Sequence, residues 1–267
     1  MNHGRDTIVR CCLAATTLCG CGESRGAILT LGNTTVWHPA AVTSWQIQLT
    51  GTVDTAHDVQ MFDIDLFDVD ASVVATLHQK GAKVICYISA GSFEDWRSDA
   101  ASFPASVLGN THGSPGERWL DIRATDVLGP IMKARLDLCH SKGFDGLDAD
   151  NVDGYTNATG FPLTAADQLA YNRFLATEAH ARGLSIGLGN DVSQAADLLG
   201  DFDWILDEQC FEYNECNRLQ PFVDAGKAVF HIEFNLETSA FCPQANTLNF
   251  NSMKKNVNLD AARWPCR

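Results

Sequence analysis

Five times along this chain a helical pattern stops at a glycine and a short apolar run follows within a few residues. His78-Gln79-Lys80-Gly81 precedes Val84-Ile85-Cys86-Tyr87-Ile88, Ser141-Lys142-Gly143 precedes an acid-rich run, and His180-Ala181-Arg182-Gly183 precedes Leu184-Ser185-Ile186-Gly187-Leu188. Leu199-Gly200 stands before Trp204-Ile205-Leu206-Asp207-Glu208, and Asp224-Ala225-Gly226 before Ala228-Val229-Phe230-His231-Ile232-Glu233-Phe234. Glycine after a basic last turn is a helix stop signal. Strands alternating with helices of this length imply right-handed crossovers and a parallel sheet. Adding residues 45–49 and 61–67 gives seven strands. An eighth around residues 248–253 closes a barrel, although residues 246–258 are rich in asparagine and alternate little. The 267 residues are enough for one such core. We therefore expect an α/β fold, a single-domain TIM-like (β/α)8 barrel over residues 27–267. A doubly wound sheet is the alternative, but no glycine-rich phosphate loop follows the first strand.

Residues 1–26 differ from the rest. Arg5 and Arg10 precede the small and apolar run from Cys11 to Leu18, which reads as an export signal. Leu18-Cys19-Gly20-Cys21 also resembles a lipoprotein cleavage box, with Cys21 as the lipidated residue. No later segment approaches the roughly 20 apolar residues of a membrane span. Export fits the cysteines, because removing the leader leaves six of ten, an even number. Cys210 and Cys216 are near enough to staple one loop, and Cys242 with Cys266 to tie down the C-terminal segment. Cys86 lies in a strand pattern and Cys139 in a helical one, which suits free buried thiols. No CxxC pair is present, which argues against structural zinc, and we expect neither metal nor cofactor.

Helical period places Leu169, Phe174, Leu175 and Ala179 on one face of residues 164–182, with Thr164 as the cap. Val73, Val74 and Leu77 mark a shorter helix over residues 70–80. The longest irregular segment, residues 90–123, follows the third strand and carries Phe93, Trp96 and Trp119; on a barrel it lies over the active face.

The acid-rich run places Asp145, Asp148, Asp150 and Asp153 within nine positions. Alternation along a strand turns Asp148 and Asp150 to one face. Other predicted strands end the same way: Asp63 and Asp65, Asn190 and Asp191, Asp207 and Glu208, Glu233 and Asn235. Ends of parallel strands are where such folds place their chemistry. A calcium loop fits poorly, because Val152 and Thr159 occupy two ligand positions. No G-x-S-x-G accompanies His231, which reads as structural. A ring of carboxylates among aromatics is what glycoside hydrolysis requires: one acid attacks or stabilises the anomeric carbon and another, held protonated, donates to the leaving oxygen. Trp45, Tyr87, Trp96, Trp119 and Tyr155 are candidates to stack on sugars or to fill the core. The net charge of −14 disfavours nucleic acid and attracts cations.

Trp45-Gln46-Ile47-Gln48-Leu49, Ile64-Asp65-Leu66-Phe67-Asp68, Val84 to Gly91, Trp119-Leu120-Asp121-Ile122-Arg123, Asp145 to Asp153 and Asp207-Glu208-Gln209-Cys210 together resemble glycoside hydrolase family 114, the endo-alpha-1,4-polygalactosaminidases, from about Trp37 to Cys266. The resemblance implies a TIM-like barrel that cuts internal alpha-1,4 bonds in galactosamine polymers, with Asp150 as nucleophile and Glu208 as general acid/base. Asp65, Tyr87, Asp148, Asn151, Asn190, Glu233 and Trp45 are the expected substrate-binding residues. The partner implied is a cationic galactosamine-containing polysaccharide outside the cell. One position departs from the pattern: a lysine is expected before Asn190, and the chain has Gly189. A non-catalytic carbohydrate-binding barrel and a glycosidase for neutral alpha-galactosides are the alternatives.

Overall fold

The computed structural model describes residues 36–267, so the leader, with Cys21, lies outside the described residues. Strands form where the apolar runs follow their glycine stops: β1 (Trp45–Gln48), β2 (Met61–Asp65), β3 (Lys83–Ser89), β4 (Gly146–Asp150), β5 (Ser185–Gly189), β6 (Trp204–Glu208), β7 (Val229–Glu233) and β8 (Asn251–Lys254). They pair in chain order and in parallel, and Trp264–Pro265 turns back antiparallel onto β8. Six helices fill the crossovers after β2: α1 (Ala71–Gln79), α2 (Thr125–Lys142), α3 (Ala165–His180), α4 (Ala195–Leu198), α5 (Gln220–Asp224) and α6 (Thr238–Thr247). The fold is a TIM-like (β/α)8 barrel whose first crossover is irregular.

Alternation along the strands divides the core in two. Trp45, Ile47, Met61, Ile85, Trp204, Leu206, Phe230, Ile232 and Met253 pack inside the barrel, whereas Phe62, Val84, Cys86, Leu147, Ile186 and Ile205 face the helices. Gly143 ends α2 at φ 88°, a conformation that a Cβ disfavours. Thr164 caps α3 reciprocally: its Oγ1 accepts from Asp167 N–H, and the Asp167 carboxylate accepts from Thr164 N–H at 2.9 Å. The buried face of α3 differs from the apolar period. Gln168 and Asn172 lie inside while Leu169 and Phe174 are half-buried. Asn172 Nδ2 explains the rotation, because it donates to Val152 O and to Asp191 Oδ2, both at 3.1 Å.

Two further expectations are corrected. Cys86 and Cys139 are not free thiols: they form a disulfide joining β3 to α2, as the outward face of β3 requires. Cys210–Cys216 and Cys242–Cys266 are also bonded. The segment 90–123 is ordered rather than irregular, with Ser92–Glu94, Leu108–Thr111 and Glu117–Leu120 forming a small antiparallel sheet.

The eighth strand carries a weak sequence signal because asparagine side chains do part of the pairing. Among the described residues no ladder joins β8 to β1. Asn251 laces the seam instead: its Oδ1 accepts from Thr43 N–H at 3.0 Å, and its carbonyl accepts from Trp45 Nε1–H at 2.8 Å.

Candidate active site

At the carboxyl ends of the strands an open cleft of about 460 Å³ is lined by Asp150, Asp153, Asp207, Glu208 and Glu215, with no lysine or arginine among its lining residues. Its far walls are Trp119 from the small sheet, His112 from the loop joining two of that sheet's strands, and Tyr213 from the loop closed by Cys210–Cys216.

Asp150 ends β4 facing the barrel mouth. Its Oδ2 accepts from Tyr87 Oη at 2.9 Å and its Oδ1 from Asn190 Nδ2 at 3.2 Å. Two donors from two neighbouring strands fix the orientation of this carboxylate. Burial, and then the Asp150 charge, push the Tyr87 phenol well above its ordinary value, so it stays a donor. Asn190 turns at φ 58°, and its Oδ1 accepts from Glu208 N–H at 2.9 Å. One amide thus ties the end of β4 to the end of β6. Burial and then the Asp150 charge raise Glu208 to about 8, the state a general acid needs near neutrality.

Gly189, which stands where lysine was expected, has a steric reason. A Cβ there would lie 2.8 Å from Ala149 O and 3.1 Å from Asp150 Cα. Only glycine lets β5 approach the nucleophile candidate this closely.

Asn151 follows Asp150 at φ 59°. Its Nδ2 donates to Ser89 Oγ and its Oδ1 sits 2.8 Å from His112 Nε2. The His112 ring lies on Trp119 with centroids 4.0 Å apart. A polar chain therefore connects the small sheet to the residue after Asp150.

The other candidates are brought close but turned away, or not brought close at all. Asp148 points into the barrel beneath Asp150 and faces Asp63 of β2, and burial drives both well above the carboxylate range. Asp65 is buried in an ion pair, its Oδ1 2.9 Å from Arg97 Nη1 and its Oδ2 2.7 Å from Arg97 Nη2. Glu233 is completely buried and lies on the outer face, because Phe230 and Ile232 take the inner one. It accepts from Phe211 N–H and pairs with His231 Nε2. Trp45 starts β1 at the opposite end of the barrel, 2% exposed, with no ring face left for a sugar. Trp96 and Tyr155 do not line the cleft, whereas Trp119 does. Sequence reading missed His112, Tyr213 and Glu215. Tyr213 and Glu215 had one signal, their position inside the cysteine-closed loop after Glu208; His112 had none.

One trio, Asp207, Cys210 and His231, brings its ligand atoms within 4.8 Å of one another. It does not suit a metal. The Cys210 sulfur is bonded to Cys216, and the His231 nitrogens lie 3.0 Å from Ser252 Oγ and 3.1 Å from Glu233 Oε1.

A parallel barrel with two carboxyl groups at the ends of β4 and β6 is an arrangement that glycoside hydrolysis can use. Comparison with known proteins makes this specific. The chain belongs to glycoside-hydrolase family GH114, whose model matches residues 26–267. It is similar to Ega3 of Aspergillus fumigatus, solved in complex with galactosamine, at 42% identity and TM-score 0.83 over 87% of this chain and 98% of that one. The glycoside hydrolase domain of PelA from Pseudomonas aeruginosa shares the fold, with TM-score 0.65 and 14% identity over 82% of this chain and 97% of that one. An uncharacterized Deinococcus radiodurans protein is 27% identical over 73% of each chain. The chain is thus an enzyme, and the non-catalytic barrel falls away.

Proposed function

We propose that this glycoside hydrolase is an exported, endo-acting enzyme that cuts alpha-1,4 bonds in galactosamine polymers, with Asp150 as nucleophile and Glu208 as general acid/base. The observation that carries this reading is the cleft lining, five carboxyl groups with no lysine or arginine. A polymer bearing one ammonium per sugar is attracted by those carboxylates that stay ionised and can donate to Glu208 and Asp207, which burial holds protonated, whereas a neutral glycan gains nothing from the charge. Similarity to Ega3, which was solved with galactosamine, supports the same substrate class.

In the reaction the ionised Asp150 attacks the anomeric carbon while Glu208 passes its proton to the departing glycosidic oxygen. A covalent glycosyl ester forms, and the C–O bond to the leaving chain breaks. Glu208, now ionised, takes a proton from water, whose oxygen displaces Asp150 and regenerates both groups. Two displacements retain configuration, which calls for carboxyls about 5–5.5 Å apart. Asn190 suits that course, since one residue spans both strand ends.

The test is digestion of de-N-acetylated polygalactosamine by wild type, Asp150→Asn and Glu208→Gln, with product lengths and anomers followed. We expect short oligomers of retained configuration from wild type, and losses of about 10²–10⁴-fold for Glu208→Gln and at least as much for Asp150→Asn. Equal rates in all three would sink the assignment.

Residues 1–26 serve in this reading as the export signal and 27–267 as the catalytic domain. Three disulfides suit an oxidising compartment. Cys21 is the position where a lipid would hold the enzyme at the cell envelope, and fractionation of Cys21→Ser against wild type tests it.

A further inference from the structure

The loop closed by Cys210–Cys216 has two sides of opposite chemistry. Gln209, Tyr213 and Glu215 face the acidic cleft, and Phe211, Asn214 and Asn217 line a separate groove of about 530 Å³. Gln220 and Gln244 complete the polar lining of that groove, and no ionisable side chain is part of it. In a chain of net charge −14, a groove of four amides without one carboxylate contrasts sharply with the cleft beside it.

Asparagine and glutamine present a donor and an acceptor in one plane, which matches adjacent hydroxyls of a pyranose. The half-buried Phe211 ring and Leu248 supply an apolar surface for the C–H face of the same ring. An ammonium would lose hydration here with no countercharge in return. The chemistry therefore selects uncharged sugars.

The groove is also held in shape before any ligand arrives. Phe211 N–H donates to the buried Glu233 carboxylate at 2.9 Å, Glu215 N–H donates to Cys210 O at 2.9 Å, and Gln220 Nε2 is fixed on Asp224 Oδ1 at 2.8 Å. Asn214 turns at φ 57°. Such a frame lowers the ordering cost of binding.

We infer that this amide-lined groove is a second carbohydrate-binding site that takes neutral pyranose units, free of ammonium groups, from the polysaccharide whose charged segments enter the cleft. The ligand class rests on the glycosidase reading of the cleft. One polymer with charged and uncharged stretches would then be held at two points about one small loop, which raises the effective concentration of each stretch at its site.

The test uses Asn217→Ala/Gln244→Ala, two exposed side chains whose loss leaves the strands intact. Made in an Asp150→Asn background, it is compared with Asp150→Asn alone by affinity electrophoresis in gels containing a neutral alpha-galactan or fully N-acetylated polygalactosamine. In the active background, cleavage of a short, fully de-N-acetylated galactosamine oligomer is followed. We expect retardation by the neutral polymer to weaken about tenfold with the double substitution, while oligomer cleavage and melting temperature stay unchanged. Equal retardation with and without the substitution, or none in either, overturns the second site. Failure of the oligomer to be cut by wild type would overturn the catalytic reading instead, and neutral-polymer retardation reads the groove independently of it. Retardation by a neutral beta-glucan equal to that by the galactan supports the groove as a site for pyranoses in general. Retardation only by the cationic polymer overturns it.

Discussion

At the scale of single residues, the proposed reaction depends on keeping two nearby acids in different protonation states. Glu208 must hold its proton, so the rate should fall as pH rises through about 8, where burial and the Asp150 charge place its titration. Tyr87→Phe removes the phenol donor that holds the Asp150 carboxylate in place. We expect kcat/KM to drop about tenfold or more, in line with the roughly 1.5–3 kcal/mol of one hydrogen bond to a charged group. An unchanged kcat/KM would separate Tyr87 from the reaction. Beneath them, Asp63 and Asp148 keep protons that the unfolded chain releases near pH 4. Their folded values are raised, so they favour folding least where pH exceeds those values, and stability should decline as pH rises. Asp63→Asn lets an amide donate to Asp148. Its melting temperature should exceed that of wild type at pH 8 by about 2–4 °C, the shift of about 1 kcal/mol in a domain this size, with the gain gone at pH 5. Asp150 and Glu208 were legible because each ends an apolar run after a helix stop. His112 was not, since a loop carries no period to count.

Among the elements, the strands were readable and their faces less so. Glu233 was placed at the rim by its position at a strand end, yet Phe230 and Ile232 take the inner face and leave it outside. Trp45 stands at the beginning of its strand, the end of a parallel barrel remote from the chemistry. The first error came from reading which strand a residue occupies without its phase, the second from reading the strand without which of its ends the residue occupies. The disulfides show the same logic. Cys86 faces outward onto α2 and closes a separation of 53 residues, whereas Cys210–Cys216 closes six. Chain-entropy arguments assign the longer loop the larger stabilisation, about 4 kcal/mol against about 2. Cys86→Ser/Cys139→Ser should therefore lower the melting temperature more. Cys210→Ser/Cys216→Ser should cost more activity for less stability, because its loop carries Tyr213 and Glu215 into the cleft. Thermal melts and KM measured on both double variants would distinguish them, and a reversed order would contradict this division.

For the whole molecule, charge is the property that composition states most directly. The sum of −14 disfavours nucleic acid, but only the fold shows five of the carboxyls gathered in one cleft. Long-range attraction of a polycation is screened within about 8–10 Å at physiological salt. We expect KM for a galactosamine oligomer to rise about tenfold between about 0.02 and 0.3 M sodium chloride, with kcat nearly constant. A salt-independent KM would point to a neutral alpha-galactoside.

The seam between β8 and β1 has a further consequence for how the barrel moves. Elsewhere each strand shares a backbone ladder with both neighbours, but here Asn251 joins the start of β1, and Gln46, Leu49 and Thr50 bond to residues that follow β8. Opening along that line leaves every ladder whole. Hydrogen exchange should therefore be fastest beside Asn251 and slowest at β3 and β4. If so, the barrel would open first at its last junction, away from the strands that carry Asp150 and Glu208.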